Sequence, residues 1–103
     1  MNKFTEIELK GISQSWIVDT LDPDRLHLHI TEVPAGARPH SAHAHEGAEA
    51  FYVLEGSGEV EMEGETVPVA TNQVVILDAT RMHGLVNTGS TPMKYIVIIA
   101  KQQ

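Results

Sequence analysis

Hydrophobic and polar residues alternate in two stretches of this chain, clearly in residues 25–33 and strictly in residues 59–63. A period of two is typical of a β-strand, because successive side chains project from opposite faces. In the second stretch the pattern predicts that the valine and methionine face inward and that the three glutamates form a solvated face. In the first stretch the two faces differ in chemistry: Leu26, Leu28 and Ile30 on one, His27, His29 and Thr31 on the other.

Short apolar runs separated by turn-forming residues continue this pattern along the chain. Three runs are apolar at consecutive positions, as expected of strands covered on both faces: residues 51–54, 74–77 and 95–100, the last within a strand predicted at 93–100. Two shorter strands are predicted at 15–18 and 66–69, and an edge strand within residues 1–13. Gly, Pro, Asn and Asp predict the turns between the runs: residues 22–24, 56–58, 64–65 and 71–73. No stretch has a helical period, so we expect an all-β sandwich or barrel.

Composition narrows the function classes. A chain of 103 residues is near the usual size of one domain, so we expect a single domain over residues 1–103. The absence of cysteine excludes disulfides, cysteine-ligated zinc and thiol catalysis. The net charge is −7 and the seven basic residues are scattered, so neither nucleic acid nor a membrane surface is an expected partner. No signal-peptide pattern or bilayer-length apolar run occurs, and we expect a cytoplasmic protein.

Residues 36–56 carry the side chains that point to chemistry. His43 and His45 are two residues apart, so a strand would place them on one face, and Glu49 follows four residues later. Imidazole nitrogens and a carboxylate oxygen are ligands of divalent transition metals. A helix would also bring His45 and Glu49 together, but Gly47 weakens a helix and the second histidine of H-E-x-x-H is missing. The segment therefore predicts half of a metal site on a β-scaffold.

The other histidines are candidates for a fourth ligand. His83 follows a predicted loop at residues 78–82 and is the best placed of them. His27 and His29 form a second pair on one strand face, but no carboxylate accompanies them at short range, so we interpret them as a polar strand face. Histidines can also cluster by chance, and a lone buried histidine is usually a hydrogen-bonded core residue. The nearby carboxylate and glycines favour a metal site over these alternatives.

The segment resembles the first conserved motif of the cupin family, G-x5-H-x-H-x3/4-E-x6-G. Five positions match, with one extra residue before the first histidine: Gly36, His43, His45, Glu49 and Gly56. With the flanking strands, the resemblance covers about residues 24–100.

The second cupin motif, G-x5-P-x-G-x2-H-x3-N, is matched in register at His83 and Asn87. Its other anchors differ, since Asn72, Asp78 and Thr80 stand where the family has Gly, Pro and Gly. These departures concern the backbone path of the loop before His83, and Thr80 is still suited to a turn.

The cupin resemblance implies an antiparallel double-stranded β-helix, the jelly-roll barrel, with a metal in its mouth. Three histidines and one glutamate would hold a divalent Mn, Fe, Co, Ni or Zn ion: His43, His45, Glu49 and His83. Two positions of a six-coordinate ion would then remain open for substrate, water or dioxygen.

Two classes of function are consistent with such a site. Cupins of this pattern are similar to dioxygenases, isomerases, decarboxylases and lyases, so we favour a metalloenzyme acting on a small organic anion or sugar. The alternative is a non-catalytic, metal-stabilised binding or sensor module for a small molecule. Arg38 and Arg81 are candidates to hold a carboxylate or phosphate, and His40 is a candidate proton carrier. The alternative interpretation is a surface charge for each arginine and an ordinary loop histidine for His40.

The apolar runs also bear on assembly. Residues 51–54, 74–77 and 95–100 are apolar on both strand faces, which is more apolar surface than one small barrel should hide. Because a large exposed apolar patch marks an interface, we expect a homodimer.

Overall fold

The chain folds into β-strands joined by turns and loops. The computed structural model describes residues 5–18 and 20–101, and within these residues it has nine strands and no helix. In chain order the strands are β1 (Thr5–Leu9), β2 (Ile12–Trp16), β3 (Leu26–Val33), β4 (Ala48–Glu55), β5 (Ser57–Met62), β6 (Glu65–Ala70), β7 (Val74–Asp78), β8 (His83–Val86) and β9 (Met93–Ala100). The all-β prediction is confirmed. Across the described residues, no helix is long and apolar enough to cross a membrane.

All strand pairs are antiparallel and form three sheets. The first large sheet has the order β3-β9-β4-β7, and the second has the order β6-β5-β8. β1 and β2 form a separate hairpin, whose turn residue Lys10 accepts a 3.3 Å hydrogen bond from Ile30 N on β3. The hairpin tip therefore lies against the edge of the first sheet.

The hydrophobic core takes side chains from both large sheets. Its fully or nearly fully buried members are mostly β-branched, aliphatic or aromatic: Val33, Phe51, Val53, Val60, Val69, Leu77, Leu85, Met93, Tyr95 and Val97. Val60 is 2% exposed, as predicted for the inward face of β5. Burial of these apolar side chains on two facing sheets is the main stabilising contribution to such a fold.

Asn87, which matches the second motif, is fully buried just after β8. Its amide donates to the carbonyls of Val33 and Thr91 at 3.0 and 2.8 Å, and its side-chain oxygen accepts from Gly89 N at 2.9 Å. These bonds satisfy every polar group of the side chain and tie the β8–β9 connection to the end of β3.

The strand bounds differ from the sequence prediction at several places. β2 covers Ile12–Trp16 and not residues 15–18, and the turn before β6 lies at residues 63–64 and not 64–65. β4 begins at Ala48, so Glu49 lies within the strand and not before it. β5 begins at Ser57, so the predicted turn at residues 56–58 is wrong. Gly56 alone makes the turn, with φ +87°, whereas Gly58 lies in the strand where a Cβ would be 2.5 Å from Val86 O. The four residues of β8, which include a glycine, have no alternating pattern and were not predicted as a strand.

Candidate metal centre

Four side chains from three parts of the chain converge at one point. His43 and His45 lie on the loop before β4, Glu49 is on β4, and His83 begins β8. One ligand atom from each residue lies within 4.8 Å of those of the other three, so the cluster could hold a metal ion. Glu49 and His83 are almost completely buried, whereas His45 is half-buried and His43 is exposed.

Backbone hydrogen bonds fix the loop that carries the first two histidines. His43 and His83 exchange both backbone hydrogen bonds, at 2.9 and 2.8 Å, as in an antiparallel bridge. His45 N donates to Ala79 O at 2.8 Å, and Ala79 N donates to Gly47 O at 2.9 Å. The loop before β4 and the loop before β8 are therefore joined at both ends of the cluster.

A local turn compensates for the missing Pro and Gly of the second motif. Asp78 Oδ1 accepts hydrogen bonds from Thr80 N at 3.0 Å and Thr80 Oγ1 at 2.6 Å, and Asp78 O accepts from Arg81 N at 3.2 Å. The hydrogen bonds from Thr80 lower the pKa of Asp78. A self-capped turn of this kind orders the backbone without proline. This turn places His83 at the cluster.

Carbonyl groups orient two of the imidazole rings. His83 Nδ1 lies 2.8 Å from Arg81 O, and His45 Nδ1 lies 3.0 Å from Glu46 O. A carbonyl oxygen only accepts, so each Nδ1 carries the proton and each neutral ring presents the lone pair of Nε2. Both Nε2 atoms face Glu49 Oε1, at 2.6 Å for His45 and 3.1 Å for His83. Backbone partners of this kind are usual behind metal-ligating histidines.

This donor set fits a divalent transition metal. Three electron-rich atoms converge within a buried space, and a cation between them satisfies all three at once. Ligands about 2.1 Å from an octahedral ion lie about 3 Å apart when adjacent and about 4 Å apart when opposite, close to the 4.8 Å that bounds this cluster. Imidazole and carboxylate donors without sulfur suit Mn, Fe, Co, Ni or Zn.

A cavity of about 220 Å³ opens onto the cluster. Its wall includes His43, His45 and Glu49 together with polar and aromatic side chains of the hairpin tip, β3, β4 and β9. These further wall residues include Lys10, His29, Thr31, His40, Phe51 and Tyr95.

Of the three residues predicted to act beside the metal, His40 is the one that lines this cavity. Its ring stacks on that of His43, with centroids 4.4 Å apart and an interplanar angle of 26°. Its Nδ1 lies 2.8 Å from Ser41 O, which leaves Nε2 without a proton when the ring is neutral. Burial lowers the pKa of His43, and the neighbouring His40, His83 and His45 lower it further.

The two candidate arginines lie outside the cavity wall and are paired with glutamates of the solvated face. Arg38 forms a bidentate pair with Glu61, in which Nη2 donates to Oε2 at 2.9 Å. The pair raises the pKa of Arg38 and lowers that of Glu61. Arg81 Nη2 donates to Glu63 Oε2 at 3.1 Å. The structure does not bring either guanidinium together with the histidine cluster.

Several cavity residues were not identified from the sequence. Tyr95 is 1% exposed and packs edge-to-face on Phe51, with ring centroids 5.7 Å apart. Burial raises the pKa of Tyr95 to about 12, so its hydroxyl remains a proton donor at neutral pH. Thr31 is paired with Tyr95 across β3 and β9 and is hydrogen-bonded to it. The predicted parity of β3 could have indicated Thr31, whereas nothing in the sequence pairs it with Tyr95.

His29 also lines the cavity, so the polar face of β3 is turned toward the site. His29 Nδ1 lies 2.8 Å from His27 Nε2, and the two rings meet edge to face. Burial lowers the pKa of His29, and the positive charge of Lys10 lowers it further.

Comparison with known proteins agrees with this geometry. The sequence profile of the Cupin domain matches residues 29–99. The chain belongs to the cupin family. Over 58 residues this cupin is 34% identical to the "Oxalate-binding protein" of Thermotoga maritima. The match covers 55% of this chain and 48% of the relative, so the chain spans about half the length of that curated relative.

Solved structures share the fold of this cupin. A cupin protein from Bacteroides fragilis has a TM-score of 0.73 at 19% identity, over 98% of this chain and 86% of that one. A protein described as a predicted oxalate decarboxylase, from Thermotoga maritima, has a TM-score of 0.70 at 22% identity, over 98% and 94%. At these identities the likeness concerns the fold.

Proposed function

We propose that this cupin binds a divalent transition metal through His43, His45, Glu49 and His83, and through it a small carboxylate anion. The observation that carries the proposal is the convergence of the His45 and His83 Nε2 atoms on Glu49 Oε1 beside the cavity. When bound, the metal would supply Lewis-acid positions for carboxylate oxygens.

The size of the cavity supports a small acid over a sugar. A volume of 220 Å³ corresponds to roughly seven water volumes, and sites for drug-sized ligands begin at about 300 Å³. A dicarboxylate of two or three carbons fits that space better than a hexose. The 34% identity to an oxalate-binding protein supports the same class of ligand.

The chain's own residues would orient such an anion. Thr31 and Tyr95 place hydroxyl groups on the cavity wall, and the raised pKa of Tyr95 keeps its proton available for donation. Phe51 and Val97 supply apolar wall that excludes water beside them. A few polar groups on a mostly apolar wall are the usual composition of a small-molecule site.

Metal reconstitution followed by calorimetry tests this function. Protein loaded with Mn, Fe, Co, Ni or Zn in turn should hold about one ion per chain by elemental analysis. The loaded protein should bind oxalate, whereas chelator-stripped protein should not, and glucose should give no heat in either state. An unmutated protein that takes up no metal, or that binds oxalate equally after stripping, would contradict the proposal.

Catalysis on the bound acid is the second candidate, and His40 is the observation that favours it. Its ring stacks on His43 at the cavity wall, where an imidazole could carry a proton to or from the bound acid. If the protein is an enzyme, His40→Ala should slow consumption of the acid at least about tenfold while oxalate affinity stays within about twofold. Absence of turnover with every metal would leave the binding function alone.

We also propose the closed jelly-roll barrel and the homodimer that the sequence suggests. The backbone bridge between His43 and His83 joins a loop next to the first sheet to the edge of the second, which supports closure of the barrel.

The dimer is supported by apolar residues that face away from the cavity on the first sheet, of which Ile76 is 72% exposed and Val74 46%.

A further inference from the structure

Lys10 lines the cavity, although its position in the turn does not favour a lysine. Lys10 and Gly11 form the two-residue connection between β1 and β2, with φ of +45° and +83°. Hairpin turns with positive φ at both positions favour Asn, Asp or Gly at the first, because a side chain there is strained. The hydrogen bond from Ile30 N to Lys10 O holds this strained residue against β3.

Lys10 is one of the residues that line the cavity. Lys10 is exposed and lines the cavity together with His29, so it lies where the cavity meets solvent. Among the side chains that the structure describes, at residues 9–18 and 20–101, no carboxylate is within ion-pair distance of Lys10. Arg38 and Arg81, by contrast, are occupied by Glu61 and Glu63.

The charges of the groups around the cavity favour one class of ligand. Glu49 is the one carboxylate among the residues that line it. A divalent metal would exceed that single negative charge by one, and Lys10 adds a second positive charge where the cavity meets solvent. Such a cavity complements an anion that carries a negative charge at each end.

We propose that Lys10 is a specificity-determining residue that binds the second carboxylate of a short dicarboxylate whose first carboxylate lies at the metal cluster. This inference rests on the proposed function and narrows its ligand to dianions of two or three carbons. The effect of Lys10 on the pKa of His29 agrees with an ammonium group near the cavity. Thr31, two residues after His29 on β3, also lines the cavity and carries a hydroxyl group.

Titration calorimetry on metal-loaded protein tests the role of Lys10. The probes are two dianions, oxalate and malonate, and two monoanions, formate and acetate. Lys10→Asn removes the ammonium while creating the Asn-Gly pair that this turn prefers, so the hairpin should remain folded. Lys10→Arg keeps the charge, and Lys101→Met removes the same charge from an exposed position outside the cavity.

We expect Lys10→Asn to weaken dianion binding at least tenfold and monoanion binding less than twofold, with unchanged metal content. Lys10→Arg should restore most of the dianion affinity, and Lys101→Met should behave as the unmutated protein. Equal losses for dianions and monoanions, or no loss, would overturn the role of Lys10 and leave the proposed function standing. If the unmutated, metal-loaded protein binds none of the four acids, the proposed function itself fails.

Discussion

His83 links the two large sheets at the candidate metal site. It begins β8 in the second sheet, and its Nε2 lies 3.1 Å from Glu49 Oε1 on β4 of the first sheet. Its ring is buried, and its Nδ1 is held by Arg81 O. The orientation of His83 is therefore set before any ligand binds, which reduces the entropic cost of forming the site.

Replacing His83 should separate metal binding from folding. His83→Ala removes one of four candidate ligands, so we expect metal affinity to fall by about a hundredfold or more, since loss of a mere hydrogen-bond partner of a ligand already costs up to that much. The hydrophobic core between the two large sheets remains, so the far-ultraviolet circular dichroism should keep its β-sheet form. Elemental analysis after reconstitution measures the loss, with the His27→Ala/His29→Ala double variant as control. If the control loses metal and His83→Ala keeps it, the fourth ligand is wrongly chosen.

His29 should make the stability of the metal-free protein depend on pH. Because the folded-state pKa of His29 is lowered, the unfolded chain binds more protons below about pH 6.5 and the free energy of unfolding falls as pH decreases through that value. Lys10, His27 and His40 favour the neutral ring, whereas Glu49 opposes them. Thermal melts in chelator between pH 7.5 and 5.5 should show a shallower loss for His29→Gln. Equal slopes for the two proteins would contradict this.

Single residues also show what the sequence could reveal about the site. His43, His45 and Glu49 could be predicted to cluster because their spacing is local in the chain. His83 was the best placed of the other histidines, and the cupin resemblance supported that choice. Lys10 and Tyr95 could not, because a hairpin docked on β3 and a register between β3 and β9 bring them to the cavity. Neither contact produces a recognisable pattern among residues that are close in sequence.

Among the structural elements, the connection into β4 is the most constrained. Gly47 has φ +100°, and a Cβ there would lie 2.4 Å from Ala100 O on β9. The backbone thus passes against the first sheet between two candidate ligands, His45 and Glu49. Only a residue without a side chain satisfies both the conformation and the space.

Gly47→Ala should therefore be costly for both fold and site. We expect a loss of roughly 2–4 kcal/mol in unfolding free energy, from left-handed strain plus overpacking against backbone, together with weaker metal binding. Gly64→Ala is the matched control, since Gly64 has φ +88° and no atom within 4 Å of a Cβ. It should cost only about 1–2 kcal/mol, the strain alone. Denaturant titration compares the two, and equal losses would refute the packing argument.

For β3, periodicity predicts the strand but not which of its two faces points to the cavity. Its alternation placed the strand within one residue of its observed bounds, since residues 25–33 were predicted and Leu26–Val33 is observed. Hydrophobic residues usually face the interior of a barrel. Here His29 and Thr31 line the cavity and Leu28 and Ile30 lie on the other face, because this interior contains a polar site. Which face of β3 lines the cavity depends on the tertiary arrangement.

For the whole molecule, this orientation leaves an apolar surface on the first sheet. Cross-strand registers place its members side by side across all four strands, facing away from the cavity. This outer apolar face consists of Leu28, Ile30, Ala50, Tyr52, Val74, Ile76, Ile96 and Ile98. A continuous patch on a sheet face is what an isologous dimer interface requires.

The assembly can be tested at this outer apolar face. We expect sedimentation velocity at micromolar concentration to show twice the 11.3 kDa chain mass. Ile76→Glu places a charge on the most exposed apolar residue of the face, and burying it unpaired should weaken dimerisation by about tenfold or more. Val67→Glu is the control, since Val67 is 45% exposed on β6 of the other sheet and should leave the dimer intact. An unmutated protein that sediments only as the single chain would show that the outer apolar face is not a self-association surface.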